Sequence, residues 1–248
     1  MTTASISAHT HTHGAVKVAY DLVVFDMDGT LADSFGFFIR THNLLSAKYH
    51  FQPIQAHEVE LLRQRSPRDI MAHVGLPMWK LPFVARDFVR SMRLHGQDVC
   101  MFAGAERVLR DLHAHGVQLA VVSSNSVENC RRILGEDMCR LMSYIDGGAS
   151  LFGKRTRILR VLKKLGIQPG QAIYVGDQLT DADAARAAGV AFGAVCWGYG
   201  APEALAHTSP EMTFETVDAL RLLACNAQPD TRVLQPRAAM PKVEECAT

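Results

Sequence analysis

The chain has 248 residues, 48% hydrophobic and 21% charged, with 26 Lys or Arg against 25 Asp or Glu and a formal charge of +1. This is ordinary globular usage, which excludes a disordered or collagen-like polymer, and the near-zero charge removes the broad positive field of a general nucleic-acid or membrane-surface binder while leaving room for a small anionic partner. The six cysteines are scattered with no CxxC pair, which argues against a disulfide framework or a structural zinc and for a reducing, cytoplasmic setting.

Residues 1–14 are small and polar where a signal peptide would be apolar, so they read as a flexible tail; the alternating His9, His11 and His13 are accounted for by solvation there. No stretch approaches the run of about 18 apolar residues that a membrane helix needs. The run YDLVVF (20–25) is short, β-branched and aromatic and stops at DMDGT, which predicts a buried strand entering a turn. The same grammar recurs at VQLAVV (117–122) before SSN, at AIYV (172–175) before GD, and at 190–195. Between these runs the period becomes helical. Ala105, Val108, Leu109 and Leu112 share a face before Gly116, Asn125 with Glu128 resembles a capping box opening the next helix, Ile158 to Leu165 form a stripe ending at Gly166, and Ala184, Ala185 and Ala188 line another before Gly189. Alternating strands and helices predict an α/β, Rossmann-like doubly wound parallel sheet.

The interval 34–98 breaks that rhythm. It offers no convincing strand, seven of the eleven Phe fall between Phe35 and Phe102, and it carries nine Lys or Arg against five Asp or Glu. We expect an inserted helical cap domain at 34–98, a core domain from 15–33 and 99–224, and a second tail at 225–248, with hinges near Asp33 and 98–101. Ser66 before Pro67 fits an N-cap and first helical position, which puts Arg63 and Arg65 on a loop.

In open α/β sheets ligands lie beyond the carboxyl ends of the strands, so Asp26, Ser123 and Asp177 should converge on one crevice. An extended chain through Met27 would turn Asp26 and Asp28 to the same side. With Asp177 and Asp181 added, three or four carboxylates repel one another unless a cation or proton joins them, and oxygen-only ligation suits Mg²⁺ with room for a substrate phosphate. A carboxylate in that setting can serve as nucleophile, a second as general acid and base, and Ser123, nearby backbone N–H groups and Lys154 can stabilise charge on phosphate oxygens. Arg155 and Arg157, in the same GKRTR stretch, read as solvated charges.

Four segments in order, FDMDGTLADS, VVSSNS, FGKRTR and VGDQLTDADAARAAG, resemble the haloacid dehalogenase superfamily. WGYG (197–200) and FETVDALRLL resemble its phosphoglycolate phosphatase branch, so the likeness covers about residues 20–222. The resemblance implies a helical cap inserted after the first motif and a Mg²⁺-dependent phosphatase acting on a small phosphorylated metabolite, 2-phosphoglycolate first, through an aspartyl-phosphate. It makes Asp26 the nucleophile, Asp28 the acid and base, Ser123 a phosphate binder and Lys154 the charge stabiliser. Asp26, Asp28 through its backbone carbonyl, Asp177 and Asp181 form the metal set, with Asp181 either a ligand or an outer-shell group. Gly29, Thr30, Ser124 and Asn125 are expected around the phosphate, while Arg63 and Arg65, with Arg68 behind them, would meet an acidic second group of the substrate. Asp28 sets the chain apart from the dehalogenase and phosphonatase branches. A sugar phosphomutase, which would usually carry an acid where Gly176 stands, and a non-catalytic phosphate-ligand binder are the alternatives. No nucleic acid, membrane or obligate protein partner is expected.

Overall fold

The computed structural model describes residues 20–63, 65, 67–148 and 153–224; the expected tails, the histidine triplet and the Ser66 cap lie outside the described residues. Among the described residues six strands form one sheet: β1 (Leu22–Phe25), β2 (Gln118–Ser123), β3 (Met142–Gly147), β4 (Ala172–Gly176), β5 (Ala191–Val195) and β6 (Met212–Phe214), in the order β3-β2-β1-β4-β5-β6. All neighbours run parallel, with Phe25 opposite Val121 on one side and Val175 on the other. The chain builds outward from β1 to β3, then returns to lay β4 on the opposite flank of β1. That reversal opens a crevice beyond the ends of β1 and β4, where the following residues are Asp26 and Asp177. The outer strands β3 and β6 escaped the sequence reading because they have few apolar residues and only partial burial.

Between β1 and the next core helix the described residues make four α-helices, α1 (Phe35–Tyr49), α2 (Val59–Arg63), α3 (Pro67–His73) and α4 (Leu81–His95). They enclose their own apolar cluster of Leu45, Phe51, Ile54, Leu62, Met71, Val74, Leu76 and Val84. The outgoing and returning strands of chain touch: Asp33 N–H donates to the Cys100 carbonyl and Phe102 N–H to that of Leu31, both at 2.9 Å. Arg63 ends α2 instead of standing in a loop.

The core helices are α5 (Ala105–Ala114), α6 (Val127–Leu141), α7 (Lys154–Leu165), α8 (Leu179–Ala188) and α9 (Pro202–Ala206). Alternation along the strands assigns two faces. Val23, Phe25, Leu119, Val121, Ile173 and Val175 pack with α5 and α6, whereas Leu22, Val24, Ala120, Val122, Ala172 and Tyr174 pack with α7 and α8. The result is a three-layer α/β domain whose strands, covered on both sides, read as unbroken apolar runs. The cap of α6 is Ser126, whose hydroxyl accepts from Asn129 N–H at 3.1 Å, and not Asn125. The one-residue shift matters, because it releases Asn125 for the crevice.

Candidate active site

Three carboxylates meet where the sheet order reverses. Asp26, Asp177 and Asp181 bring oxygens within 4.8 Å of one another, and all three are buried. Lys154, the first residue of α7, reaches in with Nζ 2.6 Å from Asp26 Oδ2 and 2.5 Å from Asp181 Oδ1. One ammonium cannot balance three buried carboxylates. Burial, reinforced by the charge of Asp181, pushes Asp177 up to about 7, and burial also raises Asp26 well above the carboxylate range despite the pull of Lys154. Burial alone would lower Lys154, but Asp181 and Asp26 outweigh it and keep the ammonium charged. A donor set of oxygens carrying surplus negative charge fits a hard divalent cation.

Small residues around Asp177 and Asp181 allow this crowding. Gly29 has φ +82°, and a Cβ on it would strike Asp177 and the Tyr199 ring; one on Gly198 or Gly200 would also strike Asp177. At Gly176 a Cβ would stand 2.5 Å from Asp181 Oδ2. Asp177 Oδ1 accepts from Thr30 Oγ1 at 3.0 Å and Oδ2 from Tyr199 N–H at 2.7 Å, which fixes the carboxylate plane. Gly29 and Thr30, expected at the phosphate, thus back Asp177; neither lines the cavity described below. Asp181 Oδ2 accepts from the N–H groups of Asp177 and Gln178 at 3.2 and 3.0 Å, so its carboxylate caps α8 as well as holding Lys154.

Asp28 is set differently. The chain does not run straight through Met27, whose carbonyl receives the N–H groups of Thr30, Leu31 and Ala32 in a tight turn. Asp28 stands outside the carboxylate triple, with Oδ2 accepting from Asn125 Nδ2 at 3.1 Å and Oδ1 buried without a hydrogen bond. Burial raises its pKa. Asn125 is held in turn, its Oδ1 accepting from Ser126 N–H at 2.9 Å and Asn129 Nδ2 at 2.8 Å, which orients its NH₂ toward Asp28. Ser123 closes β2 fully buried, with Oγ accepting from Asn125 N–H at 3.0 Å; Ser124, one residue farther, lines the cavity. Arg157 is buried and not solvated: its guanidinium donates to the carbonyls of Ser123 and Gly148 at 2.8 and 2.9 Å, bracing the end of β2.

A cavity of about 310 Å³ rises from Asp26, Asp28, Ser124, Asn125 and Lys154 into the helical insertion. Arg63 and Arg65 border it, but in different states. Arg63 Nε donates to the Tyr199 carbonyl at 3.0 Å and Nη2 to that of Gly198 at 2.8 Å, Nη1 lies 3.3 Å from Glu60, and its own carbonyl receives Ala201 N–H. The side chain expected to meet substrate instead joins the insertion to the loop around Asp177. Arg65 and Arg68 are exposed, and only Arg65 borders the cavity. Tyr199 and Ser34 went unnoticed as site residues; the WGYG motif after β5 was the available signal for Tyr199.

Residues 23–195 match the family described as haloacid dehalogenase-like hydrolase. A phosphoglycolate phosphatase of Synechococcus elongatus is 30% identical over 195 residues, covering 78% of this chain and 92% of that protein. One from Pseudomonas savastanoi pv. phaseolicola is 26% identical, covering 90% and 86%. Among solved structures, a haloacid dehalogenase-like family hydrolase from Streptococcus pneumoniae superposes with a TM-score of 0.69 at 18% identity, covering 82% of this chain and 97% of that one.

Proposed function

Since the chain belongs to the haloacid dehalogenase-like hydrolase family, we propose that it is a Mg²⁺-dependent phosphatase that hydrolyses a small phosphate monoester through an aspartyl-phosphate on Asp26. The observation that carries this reading is the pairing of two carboxylates on one cavity in unlike settings. Asp26 is ion-paired with Lys154, while Asp28 is half-buried against a neutral amide with its pKa raised. Separated environments of this kind divide nucleophile from acid.

Asp26 attacks phosphorus as the bond to the alkoxy oxygen breaks, and Asp28 passes its proton to that oxygen so the alcohol leaves neutral. Asp28, now a carboxylate, takes a proton from water, whose oxygen attacks the same phosphorus as its bond to Asp26 breaks, which frees the Asp26 carboxylate and leaves inorganic phosphate. Lys154 and the hydroxyl and N–H of Ser124 offer donors to the phosphate oxygens; Asn125 aims Asp28. Asp26, the Asp28 backbone carbonyl and Asp177 would hold Mg²⁺, which would supply positive charge that keeps Asp26 ionised and draws charge from the phosphoryl group. Asp181, engaged by Lys154 and two N–H groups, positions from the outer shell. The insertion 34–98 acts as the cap that shuts water out, joined to the core through Arg63.

The reading places the enzyme in a reducing, cytoplasmic setting, in keeping with unpaired Cys100, Cys130, Cys139 and Cys196 and with no described helix long and apolar enough to cross a membrane. The relatives' names make 2-phosphoglycolate the first ester to assay. Phosphate release that requires Mg²⁺ and disappears in Asp26→Asn is the expected result; transfer of phosphate within a hexose phosphate without release would favour a mutase, and binding without turnover a non-catalytic binder. Against the mutase, an acid at 176 would collide with Asp181.

A further inference from the structure

The cavity has a polar floor and an apolar roof. Its floor includes Asp26, Asp28, Ser124, Asn125 and Lys154, suited to a phosphoryl head, and the core adds Gln178, Thr180 and Tyr199 to the walls. Its roof, from the insertion, includes Phe38, Ile39, Leu45, Ile70, Val84 and Phe88. Among the described residues, the polar side chains that the insertion adds are His42, Arg63 and Arg65. His42 is packed on Phe51 and Phe38, with Nδ1 3.1 Å from Asn43 Oδ1, and burial lowers its pKa, so it meets a ligand as a neutral ring. Arg63 is spent on the carbonyls of Gly198 and Tyr199. Arg65 is exposed at the rim.

From this distribution we propose that the site takes phosphate monoesters of apolar alcohols, alkyl or aryl, in preference to those of a short hydroxy acid. The proposal rests on the phosphatase reading above and names its substrate class. A volume near 310 Å³ is that of a pocket for a ligand well beyond two carbons. A glycolate group would leave most of the roof unfilled and turn its carboxylate toward hydrocarbon, where an unpaired charge is costly. An apolar group would displace water from the same walls and gain by area.

The test is calorimetric titration of the Mg²⁺-loaded full chain with ethyl-, butyl-, hexyl- and octylphosphonate and with phosphonoacetate. The expected result is a Kd that falls about fourfold per methylene until the roof is filled, with a negative heat-capacity change, and phosphonoacetate weaker than butylphosphonate by about tenfold or more. A Kd independent of chain length, phosphonoacetate binding tightest, or no phosphonate binding at all would overturn it. Val84→Phe, or Ile70→Phe if the first does not fold, should reduce the octyl-to-ethyl affinity ratio about tenfold; an unchanged ratio counts against the roof as the receptor. Hydrolysis of the matching alkyl phosphates and 2-phosphoglycolate, run in parallel, separates the two readings. A chain-length series in Kd without phosphate release sinks the phosphatase reading and leaves the ligand class standing. Release from 2-phosphoglycolate with a flat Kd series does the reverse.

Discussion

Tyr199 touches Asp177 through its backbone N–H, 2.7 Å from Oδ2, while its phenol oxygen lies 2.6 Å from Ser34 Oγ at the start of the insertion. The ring also packs edge-on against Phe35, with centroids 5.1 Å apart. One residue therefore orients a carboxylate of the buried cluster and bears on α1. Tyr199→Phe keeps the ring and the N–H but loses the hydroxyl contact. We expect a loss of about 1 kcal/mol, or a melting temperature lower by about 2–4 °C, with KM rising more than kcat falls. Thermal melts and steady-state kinetics on one preparation check both.

Arg63→Met keeps the aliphatic stem and removes the donors to Gly198 and Tyr199. Loss of charge-assisted bonds should cost about 1.5–3 kcal/mol. The kinetic defect should be equal for acidic and apolar esters, because the guanidinium holds the protein and not the substrate. A defect confined to 2-phosphoglycolate would instead make Arg63 a carboxylate receptor.

Gly176→Ala tests the crowding directly. Its methyl would meet Asp181, which can yield only by abandoning Lys154 or the N-terminus of α8. A loss of about 1–3 kcal/mol from overpacking is expected, with at least a tenfold fall in kcat. Gly29→Ala, strained by φ +82° as well as pressed on Asp177, should be the worse of the two. Urea unfolding and phosphate release give the ranking.

In the metal-free protein Asp177 has been pushed from 3.8 up to about 7, first by burial and then by Asp181. Between those values the native state keeps a proton that the unfolded chain has released, so stability falls as pH rises through that window. A divalent cation relieves the repulsion that appears there. Melting temperatures should therefore rise more on adding Mg²⁺ at pH 8 than at pH 5.5, and calorimetry should show proton release on binding near pH 6. Equal shifts at both pH values would contradict cation binding at this cluster.

What the sequence made legible follows from period and from strand ends. The apolar runs at β1, β2, β4 and β5 ended within one residue of the strand ends, and the helical stripes gave α5, α7 and α8, because double burial leaves little choice of residue there. The carboxylates Asp26, Asp177 and Asp181 came together because each directly follows a strand or opens the next helix. Side-chain direction was less legible. The turn at Met27 takes Asp28 away from the triple, β2 runs one residue farther and buries Ser123, so that Ser124 takes the place at the cavity expected of it, and Ser126 takes the cap that Asn125 was expected to fill. Arginines misled most. A guanidinium can bind an anion or chelate backbone carbonyls, and only the fold shows that Arg63 and Arg157 do the latter.

The paired chain at Ala32 and Met101 forms a neck, since both crossings between sheet and insertion lie a hydrogen bond apart. Seen from β1, everything from 34 to 98 is a side excursion that returns to its point of departure, and its length or content does not disturb the strand order. A transplanted excursion that kept the two Arg63 carbonyl bonds would inherit the carboxylates and the lysine unchanged. On the proposed function, the reaction and the choice of what reacts would be carried on separable stretches of one polypeptide, so appetite could be exchanged without rebuilding the machinery that digests.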